Sequence, residues 1–170
     1  YNNRRSYSQL VLGETMNPNK LIQEKLKLDG KGFSPFQAAD FSRTSFGELF
    51  LELGYKIGAE IGVESGYNSL ALCKAMPGLK LFCVDPWTPH GRHSLHQEEK
   101  IFDRAKFYLA PYDVTILRKT SMEALQDIED GSLDFVYIDA SHLYENVKMD
   151  IDGWEKKVRV GGVVSGHDYT

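Results

Sequence analysis

Four apolar segments of this chain each end in a carboxylate, a glycine turn or a histidine. In chain order these endings are Glu60 with Gly62 and Gly66, Asp85, Asp139 with His142, and His167 with Asp168. In a parallel α/β sheet the carboxyl ends of the strands meet at one edge, where ligands bind. The residue types therefore predict a nucleoside-cofactor site at that edge, beside an acidic floor that carries histidines.

The loop from Glu60 to Gly66 departs from the dinucleotide-binding pattern. A G-x-G-x-x-G fingerprint would need glycine where this chain has Glu64 and Tyr67. A carboxylate at Glu64 would repel a pyrophosphate, whereas the two glycines still let a ligand approach the backbone closely. The loop therefore favours a cofactor with a positive centre and no phosphates, of which S-adenosylmethionine (SAM) is an example.

The next two strand ends supply candidates for binding the nucleoside. Asp85 follows the glycine loop at about 20 residues, the spacing at which a carboxylate accepts hydrogen bonds from ribose hydroxyls. Trp87 is either a lining residue of the adenine or substrate pocket or an ordinary core aromatic. Ser121 and Met122 are candidates for the adenine amine and ring. Ser121 is alternatively the N-cap of the helix that follows.

Asp139 and Asp168 end strands that should be neighbours. Adjacent strands lie about 4.8 Å apart, so the two carboxylates could share Mg²⁺ or another divalent cation. Such a cation would lower the pKa of a substrate hydroxyl. His142 or His167 could instead act as general base without a metal, because histidine titrates near neutrality. Capping a helix or pairing with the amino group of SAM are further roles for Asp139.

Composition indicates one globular domain, expected to be cytoplasmic. The chain has 170 residues, 42% of them hydrophobic, and a net charge of −4 without a long basic run. These values argue against nucleic acid as the main partner. No apolar run reaches the ~20 residues of a membrane span. Cys73 and Cys83 lie in apolar segments and are expected to be buried, reduced thiols.

Three further histidines stand close together at positions 90, 93 and 96. Such density can indicate a metal site. The segment is polar and contains proline and glycine, which favours a solvated loop at the substrate entrance.

Strands and helices alternate from residue 55 onward. The predicted strands are 56–62, 80–84, 114–117, 133–138 and 163–165, and the predicted helices are 67–76, 95–109, 122–128 and 143–158. This alternation predicts a mainly parallel sheet with helices on both faces. Residues 1–54 are expected to form an arm or lid with helices at about 20–28 and 36–54, and residues 55–170 the cofactor-binding core.

Four stretches of the chain resemble the class I SAM-dependent methyltransferases, and most of all methyltransferase domain family 24. They are AEIGVESGYNSLAL, LFCVDPW, GSLDFVYIDASHLYENVKMDIDGW and VRVGGVVSGHDY. These stretches cover about residues 55–170. The resemblance implies a Rossmann-like core with Asp139 beside the sulfonium. The other implied cofactor contacts are Glu60, Gly62 and Gly66 at the methionine part, Asp85 at the ribose, and Ser121 and Met122 at the adenine.

The chain departs from this family at two points. Relatives that bind magnesium carry Asp-Asn or Asp-Asp after strand five, where this chain has His167-Asp168. Family members usually have seven strands, whereas the sequence stops at Thr170, just past strand five. We therefore expect a sheet truncated after strand five, in a chain that is either a fragment or a minimal variant of the fold. The open edge beside strand five would need cover from the N-terminal arm or from a second subunit of a homo-oligomer.

These observations predict a SAM-dependent methyltransferase that acts on an oxygen of a small-molecule acceptor, such as a sugar hydroxyl. The acceptor hydroxyl would attack the SAM methyl group in line. Proximity and alignment of the two reactants should account for much of the catalysis. The alternatives are a metal-dependent hydroxylase-like enzyme on the same fold, a nicotinamide-dependent oxidoreductase and a non-catalytic SAM-binding module.

Overall fold

A computed structural model describes residues 18–26, 42–89, 91 and 93–167 of the chain. Predictions that concern residues 27–41, His90 or Asp168 lie outside the described residues. The helices are α1 (Pro18–Lys25), α2 (Arg43–Glu52), α3 (Tyr67–Ala75), α4 (Leu95–Leu109), α5 (Ser121–Ala124) and α6 (Tyr144–Trp154). The strands are β1 (Ile57–Ile61), β2 (Lys80–Val84), β3 (Val114–Leu117), β4 (Leu133–Ile138) and β5 (Val158–Gly166).

The five strands form one sheet in the order β3-β2-β1-β4-β5, and every neighbouring pair is parallel. The predicted Rossmann-like α/β fold is therefore confirmed. The register aligns Ile61 of β1 with Val84 of β2 on one side and with Ile138 of β4 on the other. Because the chain order reverses between β1 and β4, this is the switch point at which ligands bind in open α/β sheets.

Helices cover both faces of the sheet and enclose two apolar cores. On one face Phe50 of α2 stacks on Phe135 of β4 with ring centroids 4.3 Å apart, and Leu72 of α3 is fully buried. On the other face Trp154 of α6 is buried with Val136 of β4. Helix α2 thus packs directly on the sheet.

Helix α2 begins later than the predicted residue 36. Ser42 has extended backbone angles (φ −76°, ψ 164°), and its side chain accepts a hydrogen bond from the Ser45 amide. A serine cap of this kind stops the helix from running further toward the N-terminus. Gly54, with φ +73°, ends the segment as predicted.

Strand β5 is longer than the predicted strand 163–165 and includes Gly161-Gly162, a pair typical of turns. The register steps from Leu133↔Val158 to Phe135↔Val163, so β5 carries extra residues opposite β4. Gly161 has φ +80° within this stretch. The glycines therefore form an irregularity of the bulge type inside the strand, since only glycine adopts such angles without strain.

The helical spacing of residues 143–158 also predicted too long a helix. Helix α6 ends at Trp154, and a 3₁₀ turn, Glu155–Lys157, leads into β5. Within the described part of the chain, no helix has the length and apolar character needed to cross a membrane.

A buried carboxyl group lies between β1 and α3. Glu60 is 1% exposed and accepts hydrogen bonds from Asn68 Nδ2 (3.0 Å) and from the Ser69 hydroxyl. Burial raises the pKa of Glu60 to about 7, against the lowering effect of the two hydrogen bonds. Both cysteines are buried nearby, and burial raises the pKa of the Cys73 thiol to about 12.

Glu60→Gln should remove a pH-dependent loss of stability. The folded protein holds the Glu60 proton up to about pH 7, whereas the unfolded chain releases it near 4.5. As pH rises through this window, the wild-type free energy of unfolding should fall by a few kcal/mol relative to that of the variant. Urea denaturation of both proteins across the window measures this difference. A difference that is constant with pH would contradict the prediction.

Candidate functional site

The loop after β1 passes over the end of β4 in close contact. The Gly62 amide donates to the Val84 carbonyl (2.9 Å), and the Asp139 amide donates to the Ile61 carbonyl (2.8 Å). Gly62 has φ +88°, and a Cβ there would stand 2.1 Å from the Asp139 carbonyl oxygen. Both the backbone angle and the contact therefore require glycine at this position.

The Asp85 carboxylate joins the loops after β1 and β2. Its Oδ2 accepts hydrogen bonds from the Val63 (3.0 Å) and Glu64 (2.9 Å) amides, and its Oδ1 accepts one from the Trp87 amide (2.8 Å). A carboxylate has about four acceptor positions, so one is left for a ligand hydroxyl. Asp85 is half-buried. The carboxylate that was predicted to hold the ribose thus also shapes the loop beside it.

Trp87 belongs to the core. It is 1% exposed, and its ring centroid lies 4.6 Å from that of Phe102 in α4. Its indole N–H donates to the Glu64 carbonyl (2.8 Å). Of the two interpretations of this residue, the structure favours the core aromatic, which holds the loop from inside.

Ser121 and Met122 contact α6. The Ser121 hydroxyl donates to Asp150 and accepts from the Trp154 indole N–H (2.8 Å). The Met122 methyl lies 3.5 Å from where a Cβ on Gly153 would stand. These contacts already engage both side chains, so their contact with adenine stays a prediction.

The helix cap expected at Ser121 lies one residue earlier. Thr120 caps α5 and forms a capping box with Glu123. The Thr120 hydroxyl oxygen accepts a hydrogen bond from the Glu123 amide, and the Glu123 carboxylate accepts one from the Thr120 amide.

Asp139 and His167 meet at the ends of β4 and β5. Asp139 Oδ1 lies 3.9 Å from His167 Nδ1, and the two side chains are 23% and 50% exposed. His142 lies exposed in the segment after β4. In the described ranges no three potential ligands form a metal-binding group. The paired metal role of Asp139 and Asp168 therefore stays a prediction, since Asp168 is outside those ranges.

Two polar features of the site region were missed by sequence reasoning. Asn68 is 6% exposed, and its Oδ1 is the one buried side-chain oxygen or nitrogen in the described ranges that lacks a hydrogen-bond partner. His93, predicted to lie in a solvated loop, has its Nδ1 2.8 Å from Oε1 of Glu98, which is 2% exposed. The Ser94-x-x-Gln97 capping box was the available signal for the second feature, because it begins α4 directly after His93.

Two surface concavities are lined by residues other than the candidate site residues. A groove of about 550 Å³ runs between α2 and α3, with Thr44 and Lys74 among its lining residues. A second, of about 420 Å³, lies at the opposite edge of the sheet near Ile57 and Lys80. Neither is lined by the converging acidic and glycine residues. The chemistry of the strand ends therefore identifies the candidate site better than cavity size does.

Gly62→Ala should destabilise the protein far more than Gly78→Ala. Both glycines have φ above +80°, but a Cβ on Gly78 would meet nothing within 4 Å. The Gly78 variant should lose about 1 kcal/mol of unfolding free energy from the backbone angle alone. The Gly62 variant should lose about 3 kcal/mol or more, because it also clashes with Asp139. Thermal or urea denaturation compares them, and equal losses would contradict the close approach of the loop to β4.

Structures of two O-methyltransferases are among the solved structures that are similar to this fold. They are the O-methyltransferase TomG of Streptomyces achromogenes, in complex with SAM (20% identity, 91% of this chain, 66% of TomG, TM-score 0.58), and an O-methyltransferase of Bacillus cereus in complex with SAH (19% identity, 92% of this chain, 68% of that one, TM-score 0.56). At this identity the likeness concerns the fold. The chain spans about two thirds of each of these structures.

Sequence comparison adds a relative and a family. The uncharacterized protein y4gI of Sinorhizobium fredii is 35% identical over 109 residues, which are 61% of this chain and 12% of y4gI. The sequence model of a methyltransferase domain family, number 24, matches residues 59–169. That range contains the glycine loop, Asp85, Asp139 and His167, so the chain belongs to this methyltransferase domain family.

Proposed function

We propose that the chain is a SAM-dependent methyltransferase whose acceptor is an oxygen of a small molecule, such as a sugar hydroxyl. The observation that carries this proposal is the junction at which Asp85 binds the amides of the glycine loop while Gly62 crosses Asp139. Membership of the methyltransferase domain family supports it. The similar folds of TomG, solved with SAM, and of the Bacillus cereus enzyme, solved with SAH, support it further.

The residues of this edge fit SAM in charge and hydrogen bonding. The free acceptor position of Asp85 would take a ribose hydroxyl. Asp139 would face the ammonium group, and the acidic side chains of Asp139 and Glu64 complement a positively charged cofactor. SAM supplies a methyl group bound to a sulfonium. Because Gly62 has no side chain, its backbone lies close to that of Asp139.

In this proposal His167 accepts the proton of the attacking hydroxyl. Its imidazole is half-exposed and stands 3.9 Å from Asp139, whose carboxylate would orient it and stabilise the imidazolium that forms. His142, exposed in the segment after β4, is the second candidate for this role. Asp139 and Asp168 as ligands of a divalent cation are an alternative way to activate the hydroxyl.

The proposal is tested by titrating the protein with SAM in a calorimeter, with and without Mg²⁺, and then assaying transfer of a labelled methyl group to a panel of sugars and phenols. We expect SAM binding and transfer to at least one hydroxyl compound. His167→Ala should slow transfer about 100-fold or more without weakening SAM binding, and a loss of that size in His142→Ala instead would assign the role to His142. Binding without transfer to any acceptor would favour a non-catalytic SAM-binding module. A lack of SAM binding by the folded protein would refute the proposal.

Asp85→Ala should weaken SAM binding about 10- to 100-fold, because it removes a ribose partner and the anchor of the glycine loop. Trp87→Phe is the control for the second effect, since it removes only the indole hydrogen bond to the Glu64 carbonyl. We expect the Trp87 variant to bind SAM less than 5-fold more weakly, roughly the value of one neutral hydrogen bond. Unchanged affinity in Asp85→Ala would show that Asp85 does not contact the ribose.

A further inference from the structure

Helix α2 runs antiparallel to β4, and successive turns of the helix contact successive residues on one face of the strand. Phe50 stacks on Phe135, and one helical turn earlier Phe46 meets Tyr137 with centroids 5.7 Å apart. Four helical residues advance by ~6 Å and two strand residues by ~6.6 Å, so the two elements stay in register. The next step in the same direction brings the first turn of α2 to the level of Asp139.

Arg43 is the first residue of α2 and stands at that level. Within the described part of the chain its side chain makes no hydrogen bond or ion pair, and the residue is exposed. The carboxyl groups at this end of the sheet include those of Asp139 and of the buried Glu60. Burial raises the pKa of Glu60, and the positive charge of Arg43 lowers it by a smaller amount, so Arg43 interacts electrostatically with this carboxyl group.

We propose that Arg43 binds the carboxylate of the amino-acid part of SAM, an inference that rests on the proposed function. A guanidinium at the level of Asp139 places a positive and a negative group at the same end of the sheet. The amino-acid part of SAM carries an ammonium and a carboxylate on the same carbon. Asp139 would then pair with the ammonium and Arg43 with the carboxylate, because guanidinium groups hold carboxylates through paired hydrogen bonds.

The buried amide of Asn68 supports a polar ligand at this place. Its Nδ2 donates to Glu60, while its Oδ1 lacks a hydrogen-bond partner within the described residues. Asn68 is the second residue of α3, directly after the glycine loop and under the same edge. An orphaned buried acceptor costs stability unless a donor reaches it, and the ammonium of the same ligand is such a donor.

The test compares SAM with decarboxylated SAM, which keeps the ammonium and sulfonium but lacks the carboxylate. In calorimetric titrations, Arg43→Ala should bind SAM about 10- to 100-fold more weakly than the wild type does. The same variant should bind decarboxylated SAM as the wild type does. Arg43→Lys should recover part of the loss, because lysine keeps the charge without the paired hydrogen bonds. Arg104→Ala, which removes an exposed arginine of α4, is the matched control and should bind both ligands normally.

The outcomes separate this inference from the proposed function. Equal weakening of both ligands by Arg43→Ala, or no weakening of either, overturns the carboxylate role while the wild type still binds SAM. If the wild-type protein binds neither ligand, the proposed function itself fails and the role of Arg43 fails with it. Loss of SAM affinity alone supports the inference.

Discussion

The carboxylate of Asp85 is the interaction on which the edge of this sheet depends. It accepts backbone N–H groups from two loops and so connects the end of β1 with the end of β2. The loop it holds contains residues with positive φ, namely Glu64 as well as Gly62 and Gly66. Such angles are costly for a residue with a side chain, and the hydrogen bonds at Glu64 offset that cost. The strain is stored at the switch point of the sheet.

The same arrangement decides which chemistry the edge can accommodate. Asp85 and Asp139 place negative charge on both sides of the glycine loop, and Glu64 adds more within it. Phosphate groups would be repelled there, whereas a sulfonium and an ammonium would be attracted. His167 beside Asp139 adds a group that can accept a proton. The charge of the strand ends, more than the depth of any cavity, supports a methyl-transfer cofactor.

Sequence patterns predicted the regular elements well where local chemistry limits them. Strand β4 and helix α4 have the predicted bounds, since a capping box at Ser94 begins the helix and a turn at Gly131 precedes the strand. The start of α2 was wrong because the apolar spacing continues past the serine that caps it. Strand β5 was predicted too short, because its glycine pair is typical of a turn and only pairing with β4 shows a bulge.

The positions of the site residues on the sheet followed from the sequence, but the partners of their side chains did not. Asp85 ends β2 as predicted, yet its bonds to the glycine loop depend on how two loops meet. Ser121 is held by Asp150, which lies in another helix, and no local pattern indicates that contact. The position of Arg43 along β4 could not be predicted for the same reason, because it depends on aromatic pairs between α2 and the sheet.

We propose that the carboxyl edge around Gly62 binds SAM. The most direct measurement is the set of backbone amide chemical shifts of the isotope-labelled protein during titration with S-adenosylhomocysteine. If SAM binds there, the largest shifts should fall on Gly62 to Gly66, Asp85 and Asp139, with little change at Lys80 or Asp113 on the opposite edge. Shifts confined to the groove between α2 and α3 or to the opposite edge, or none at saturating ligand, would contradict it.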